Sequence, residues 1–187
     1  MAVIQEAVEF ASEVHKDQTR KGKDVPYITH PRAVAEILSR VTDDENIIAA
    51  GLLHDTIEDC IPYGSVTKEF LTEKFNADVA RIVSDVSEQD KTLPWMERKM
   101  ATIAHLKDMP HDSLLVKTAD VLQNLSEVTE DIRTGGQGVF LRFNASKENT
   151  IAKYNMMEAE LARVWPENPL LPALQEQLKE FLSVCYT

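Results

Sequence analysis

Seven apolar residues, Ile47 to Leu53, run directly into His54-Asp55-Thr56-Ile57-Glu58-Asp59. One imidazole and three carboxylates within six residues are groups that bind metal ions or move protons. If the helix continues, His54 and Glu58 lie four apart, as do Asp55 and Asp59, so the second acidic pair sits one turn beyond the first. Ionised groups beside a buried helix are costly unless they are paired or hold a metal. A solvated helix end explains an ordinary acidic cluster. It explains poorly a His-Asp pair that closes an apolar run.

Two further residues have the chemistry to join that pair. His30 lies in Pro26-Tyr27-Ile28-Thr29-His30-Pro31, where Pro31 biases His30 away from the α region and opens a helix from Arg32 to Arg40. This places His30 at a helix entrance, and a lone histidine in such a place is more often structural than a ligand. Asp120 falls inside the apolar set Leu114, Leu115, Val116, Ala119, Leu122 and Leu125, where a charge needs a partner. A salt bridge to Lys117 is its plain explanation. Together, His30, His54, Asp55 and Asp120 make a nitrogen and oxygen donor set that suits Mn²⁺, Fe²⁺ or Zn²⁺ rather than Ca²⁺. An ion held there polarises a phosphoryl oxygen and acidifies water. Glu58 and Asp59 are then placed as general base or orienting groups, and Arg20-Lys21 as partners for phosphate oxygens. These are the parts of a metal-dependent phosphohydrolase.

The elements that must position these groups all read as helices. Residues 2–19 carry Val3, Ile4, Ala7, Val8, Phe10, Ala11 and Val14 at helical period and end at Arg20-Lys21-Gly22-Lys23. Thr42-Asp43-Asp44-Glu45 has the spacing of a capping box that opens the helix leading to His54. Gly51 inside that helix hints at close packing. Cys60 to Gly64 reads as a turn, with Cys60 a small buried filler, and amphipathic helices follow over 66–75, 78–86, 95–106 and 113–128. Ile132 to Gly138, with three of the six glycines, reads as a mobile connection. A long helix from Phe140 to Val164 offers Lys147, Lys153 and Tyr154, and a last helix over 170–185 closes the chain. No period-2 alternation occurs, so the expected fold is all-α, a single domain over 1–187 of about eight to ten helices.

Composition narrows the partners. With 43% hydrophobic and 27% charged residues the chain reads as globular, and no apolar run is long enough to span a membrane. The start lacks the pattern of a secretory signal and the two cysteines make no disulfide framework, so the expected compartment is the cytoplasm. A net charge of −11 argues against a general nucleic-acid binder. An anionic substrate would need a local basic pocket.

The motifs Arg20-Lys21-Gly22, Pro26-Tyr27-Ile28-Thr29-His30-Pro31, Gly51-Leu52-Leu53-His54-Asp55-Thr56-Ile57-Glu58-Asp59, Asp90-Lys91-Thr92-Leu93-Pro94 and Val116-Lys117-Thr118-Ala119-Asp120 anchor a resemblance that runs over about residues 8–160. Through them the chain resembles the HD superfamily of metal-dependent phosphohydrolases. More narrowly, it is similar to the hydrolase domain of the bifunctional alarmone synthetase/hydrolases and to the stand-alone small alarmone hydrolases of the stringent response. The resemblance implies an HD-type helical bundle with one divalent ion, usually Mn²⁺, on His30, His54, Asp55 and Asp120. It implies catalysis through Glu58 and Asp59, with the substrate held by Arg20, Lys21, Asn124 and Lys91. The implied reaction removes the 3′-pyrophosphate of guanosine tetra- or pentaphosphate, giving GDP or GTP. The chain has Val121 and Gln123 where relatives carry a basic residue and a His or Tyr. That departure leaves open another phosphorylated nucleotide or a dinucleotide such as NADPH, and also a module that binds nucleotide without turnover.

Overall fold

In a computed structural model the chain is described at residues 2–59, 66–88, 90, 92–142 and 145–186, with Asp59 by its backbone alone. The expected turn at Cys60 to Gly64, and Lys91, lie outside the described residues. Among those residues the chain is all-α, and the one β-type feature is an isolated bridge between Thr19 and Pro26. The helices are α1 (Ala2–Val14), α2 (Thr29–Ser39), α3 (Glu45–Leu53), α4 (Thr56–Asp59), α5 (Lys68–Lys74), α6 (Ala77–Val86), α7 (Trp95–His105), α8 (His111–Gly135), α9 (Lys147–Val164) and α10 (Leu171–Cys185).

Backbone contacts divide the chain into two compact units, one comprising Met1–Ser87 with Pro110–Asp120 and the other Glu88–Met109 with Val121–Thr187. In the first, α3 is the central element. Its residues Ala49, Ala50, Gly51, Leu52 and Leu53 are all buried, and α1, α2 and α6 pack around it. α1 buries Ala7, Ala11 and Val14, the i, i+4, i+7 stripe of an amphipathic helix. In the second unit, α9 packs against α7 and α10, and Tyr154 meets Phe181 edge-on with ring centroids 5.4 Å apart.

Several local expectations need correction. α1 stops at Val14 rather than residue 19 because the chain turns back on itself: Arg20 N–H donates to Val25 O and Tyr27 N–H to Gln18 O. Gly22 sits at the tip with φ of 73°, the left-handed conformation that glycine adopts without a Cβ clash. α2 begins at Thr29, so His30 is inside its first turn and not ahead of it. Pro31 fits there because the first turn has no intrahelical partner for its missing N–H. The cap of α3 is Asp44, whose side chain accepts from Asn46 N–H at 2.8 Å, rather than the box starting at Thr42. The glycine-rich connection is largely helical: α8 runs on to Gly135, and a 3-10 turn covers Gly136–Arg142. α9 consequently begins at Lys147, capped by Ser146, and not at Phe140.

Candidate metal centre

The helix carrying the His-Asp pair does not continue through it. α3 ends at Leu53 with His54 as its cap residue, and α4 starts afresh at Thr56. Thr56 Oγ1 donates to Leu53 O at 2.7 Å, and Glu58 N–H donates to Asp55 O at 3.1 Å. The i, i+4 register expected across 54–59 is therefore replaced by a turn at His54 and Asp55 that brings both side chains to one place.

His30, from the first turn of α2, meets them there. Its Nε2 lies 3.1 Å from His54 Nε2, and both imidazoles are buried. Asp55 Oδ2 is 3.1 Å from His54 Nε2 and 3.6 Å from His30 Nε2. Asp120, from α8, places Oδ1 3.5 Å from His30 Nε2 and 3.7 Å from His54 Nε2. All four sequence-derived ligands thus converge within the first unit. The donors of His30, His54 and Asp55 lie within 4.8 Å of one another. Such separations are those of atoms sharing one ion at about 2.0–2.2 Å each.

The electrostatics fit a cation. Burial alone would lower the pKa of His54, but the carboxylates of Asp55 and Asp120 and the Gly51 carbonyl outweigh it and raise it to about 9. Burial pulls the Asp55 carboxyl up, yet His54 and His30 hold it well below the usual carboxylate range. Burial likewise opposes ionisation of Asp120, and Lys117 with the two imidazoles overcomes it. The site accordingly demands positive charge at its centre. His54 Nδ1 lies 2.8 Å from Gly51 O, the contact that directs Nε2 inward as a donor atom. The residues present fit a divalent metal ion of the mixed nitrogen and oxygen class.

The remaining predicted residues fall in different places. Glu58 is half-buried on α4, and the α4 backbone includes Asp59, whose side chain is outside the described residues. Arg20 is half-buried and Lys21 exposed, both in the turn after α1. Asn124 is half-buried on α8 and belongs to the second unit. Two residues were missing from the sequence-derived list. Lys117, which the sequence offers only as a salt-bridge partner for Asp120, donates from Nζ to Asp120 Oδ2 at 3.0 Å while its side chain is 12% exposed. Tyr27 donates from its hydroxyl to Asp55 Oδ2 at 2.7 Å. A Pro-Tyr-Ile stretch gives no sign of a partner 28 residues away. Only the three-residue spacing of Lys117 and Asp120 on a helix was available as a signal.

An all-helical unit that gathers two imidazoles and two carboxylates in this way defines a class, and comparison agrees. The chain belongs to the HD domain family, whose model matches residues 7–151. The guanosine-3′,5′-bis(diphosphate) 3′-pyrophosphohydrolase MESH1 of Danio rerio is 45% identical over 131 residues, covering 68% of this chain and 69% of that protein. Its Homo sapiens counterpart is 38% identical over 130 residues, covering 68% and 70%. The longer Haemophilus influenzae enzyme named guanosine-3′,5′-bis(diphosphate) 3′-pyrophosphohydrolase is 41% identical over 130 residues, 18% of its length. Among solved structures, a metazoan ortholog of SpoT, described as hydrolysing ppGpp, superposes with a TM-score of 0.76 at 27% identity, over 98% of this chain and 95% of its own.

Proposed function

We propose that this chain is a metal-dependent alarmone hydrolase that removes the 3′-pyrophosphate of guanosine tetra- or pentaphosphate, with residues 1–187 acting as one hydrolase domain. The observation that carries the reading is the convergence of His30, His54, Asp55 and Asp120 on one buried point. The relatives' names supply the substrate class. Mn²⁺ is the proposed ion, held by those four residues. When bound, a divalent ion supplies Lewis-acid polarisation of a phosphoryl oxygen.

This chain's own residues do the rest. Glu58, with Asp59 beside it in sequence, takes the proton of the attacking water. The water oxygen bonds to the phosphorus attached to the 3′ oxygen, that P–O bond breaks, and the 3′ oxygen leaves as a hydroxyl on taking up a proton equivalent to the one Glu58 accepted. Arg20 and Lys21 bind phosphate oxygens and offset the charge that develops on them. The family resemblance adds Asn124 and Lys91 to the proposed substrate-binding residues. In a protein of net charge −11, these local cations are what makes an anionic substrate tolerable. Among the described residues no helix is long and apolar enough to cross a membrane. The cytoplasm is the proposed compartment.

The test is pyrophosphate release from guanosine tetraphosphate by folded, Mn²⁺-loaded protein. Absence of turnover rejects the reading. A second reading, hydrolysis of another phosphorylated nucleotide or of NADPH, is favoured by one feature of α8. Val121 is buried, and Gln123 is a neutral amide that donates to Glu127 at 3.4 Å. Parallel assays with NADPH and simple nucleotides decide between the two.

A further inference from the structure

Tyr27 and His15 stand behind the metal centre, and neither has a role in the chemistry above. The Tyr27 hydroxyl donates at 2.7 Å to Asp55 Oδ2, the same oxygen that lies 3.1 Å from His54 Nε2 and 3.6 Å from His30 Nε2. Its ring is held on several sides. His15 stacks on it, with centroids 4.8 Å apart and planes at 29°. His30 meets it edge-on at 6.2 Å, and the Arg20 guanidinium carbon lies 5.4 Å from its centroid. The Tyr27 N–H donates to Gln18 O, which fixes the backbone beneath the ring.

His15 is the odd residue in this arrangement. It is 1% exposed, and its Nδ1 is 2.6 Å from Gln18 Oε1. Its Nε2 is buried with no hydrogen-bond partner among the described residues. An unsatisfied buried nitrogen carries a desolvation cost that an apolar side chain would avoid. Breaks of a local rule are found where function requires them. What His15 offers that leucine does not is a flat plate, locked by Gln18, against which the phenol ring lies.

Taking the metal reading of this site as its basis, we infer that Tyr27 is a positioning residue that aims Asp55 Oδ2 at the two imidazoles, and that His15 is the plate that holds the Tyr27 ring. A carboxylate has free rotation about its last bond, and a short hydrogen bond to one oxygen removes that freedom before the ion arrives. Outer partners of this kind change metal affinity or activity by about 10–100-fold when they are removed.

The experiment needs no substrate. Mn²⁺ is titrated into metal-free protein and the free ion is counted by electron paramagnetic resonance, with far-ultraviolet circular dichroism as the check on folding. Tyr27→Phe keeps the ring and removes the hydroxyl, and is expected to weaken Mn²⁺ binding roughly 10–100-fold while the helical signal is unchanged. His15→Phe keeps a flat plate and is expected to bind close to wild type, whereas His15→Leu is expected to bind more weakly. Tyr27→Phe with wild-type affinity overturns the inference, as does His15→Leu binding as tightly as His15→Phe. Wild-type protein that binds no Mn²⁺ overturns the metal reading as well, so the two failures are told apart before any variant is compared.

Discussion

A carboxylate inside an apolar helical stripe is tolerated when a cation answers it, and Asp120 has two such answers. Its Oδ2 accepts from Lys117 Nζ at 3.0 Å, and its Oδ1 faces the imidazoles of His30 and His54 at 3.5 and 3.7 Å. In the sequence a salt bridge to Lys117 and a metal role compete for Asp120. The two oxygens allow both. Removing Asp120 therefore has two separable consequences. Asp120→Ala leaves the largely buried Lys117 with the Val86 carbonyl at 3.4 Å but without the carboxylate it bonds, a loss of up to about 3–5 kcal/mol in the metal-free protein. It also takes a donor from the site. Adding Lys117→Met is expected to restore the thermal midpoint but not Mn²⁺ binding. If both return together, the two roles are not distinct. Glu58 is legible as an acid/base candidate because it stands four residues after His54, although the continuous helix that such a spacing implies is interrupted at His54 and Asp55. Glu58→Gln is expected to keep Mn²⁺ affinity and to slow pyrophosphate release by about 10²-fold or more. Normal turnover in that variant removes Glu58 from the mechanism.

Most of the helices are legible, since an apolar period of 3.6 repeats through elements such as α1 and α6, while α3 shows as an unbroken apolar run. What the period does not report is a break without glycine or proline. The turn at His54 and Asp55 is made by hydrogen bonds, Thr56 Oγ1 to Leu53 O and Glu58 N–H to Asp55 O, and no propensity rule marks it. At Gly135 and Gly136 the sequence suggests a mobile connection, and the chain is helical there instead. Gly136 has φ of 67° just past the end of α8, the left-handed position that terminates a helix. Gly51 inside an apolar helix is a sign of close packing, and the structure shows against what. A Cβ built there would lie 2.4 Å from Leu38 Cδ1 and 3.5 Å from Val34 Cγ1, both on α2. Leu38 is fully buried and has no solvent to swing into. Gly51→Ala gains about 1 kcal/mol of helix propensity, and overpacking costs about 1–3 kcal/mol. The expected result is net destabilisation, read as a lower urea midpoint. It should come with weaker Mn²⁺ binding, because the Gly51 carbonyl that orients His54 Nδ1 moves with α3. A variant more stable than wild type would show that α2 and α3 can part there without strain.

Beyond single elements, the all-α class was legible from the lack of period-2 alternation, whereas the division into two compact units was not. The chain passes between them after Ser87, after Met109 and after Asp120, and the last of these passages lies inside α8, where no proline or glycine marks it. The first unit contains all four proposed ligands, drawn from α2, the end of α3, the turn after it and α8. An ion held by side chains from those separate segments binds the folded chain and has no equivalent site in the unfolded one, so it stabilises by mass action. With free Mn²⁺ at 100 times its dissociation constant, the gain is about 2.7 kcal/mol. For a chain of this length each kcal/mol moves the midpoint by roughly 2–4 °C, so chelation is expected to lower the thermal midpoint by about 5–11 °C. Excess Mn²⁺ should restore it, while Mg²⁺, which prefers all-oxygen sites and keeps its waters, should restore less. His54→Ala removes a donor, and its midpoint should not respond to chelator at all. A drop of equal size in His54→Ala would mean that the stabilising ion sits elsewhere, and the four converging side chains would then owe their arrangement to hydrogen bonding alone.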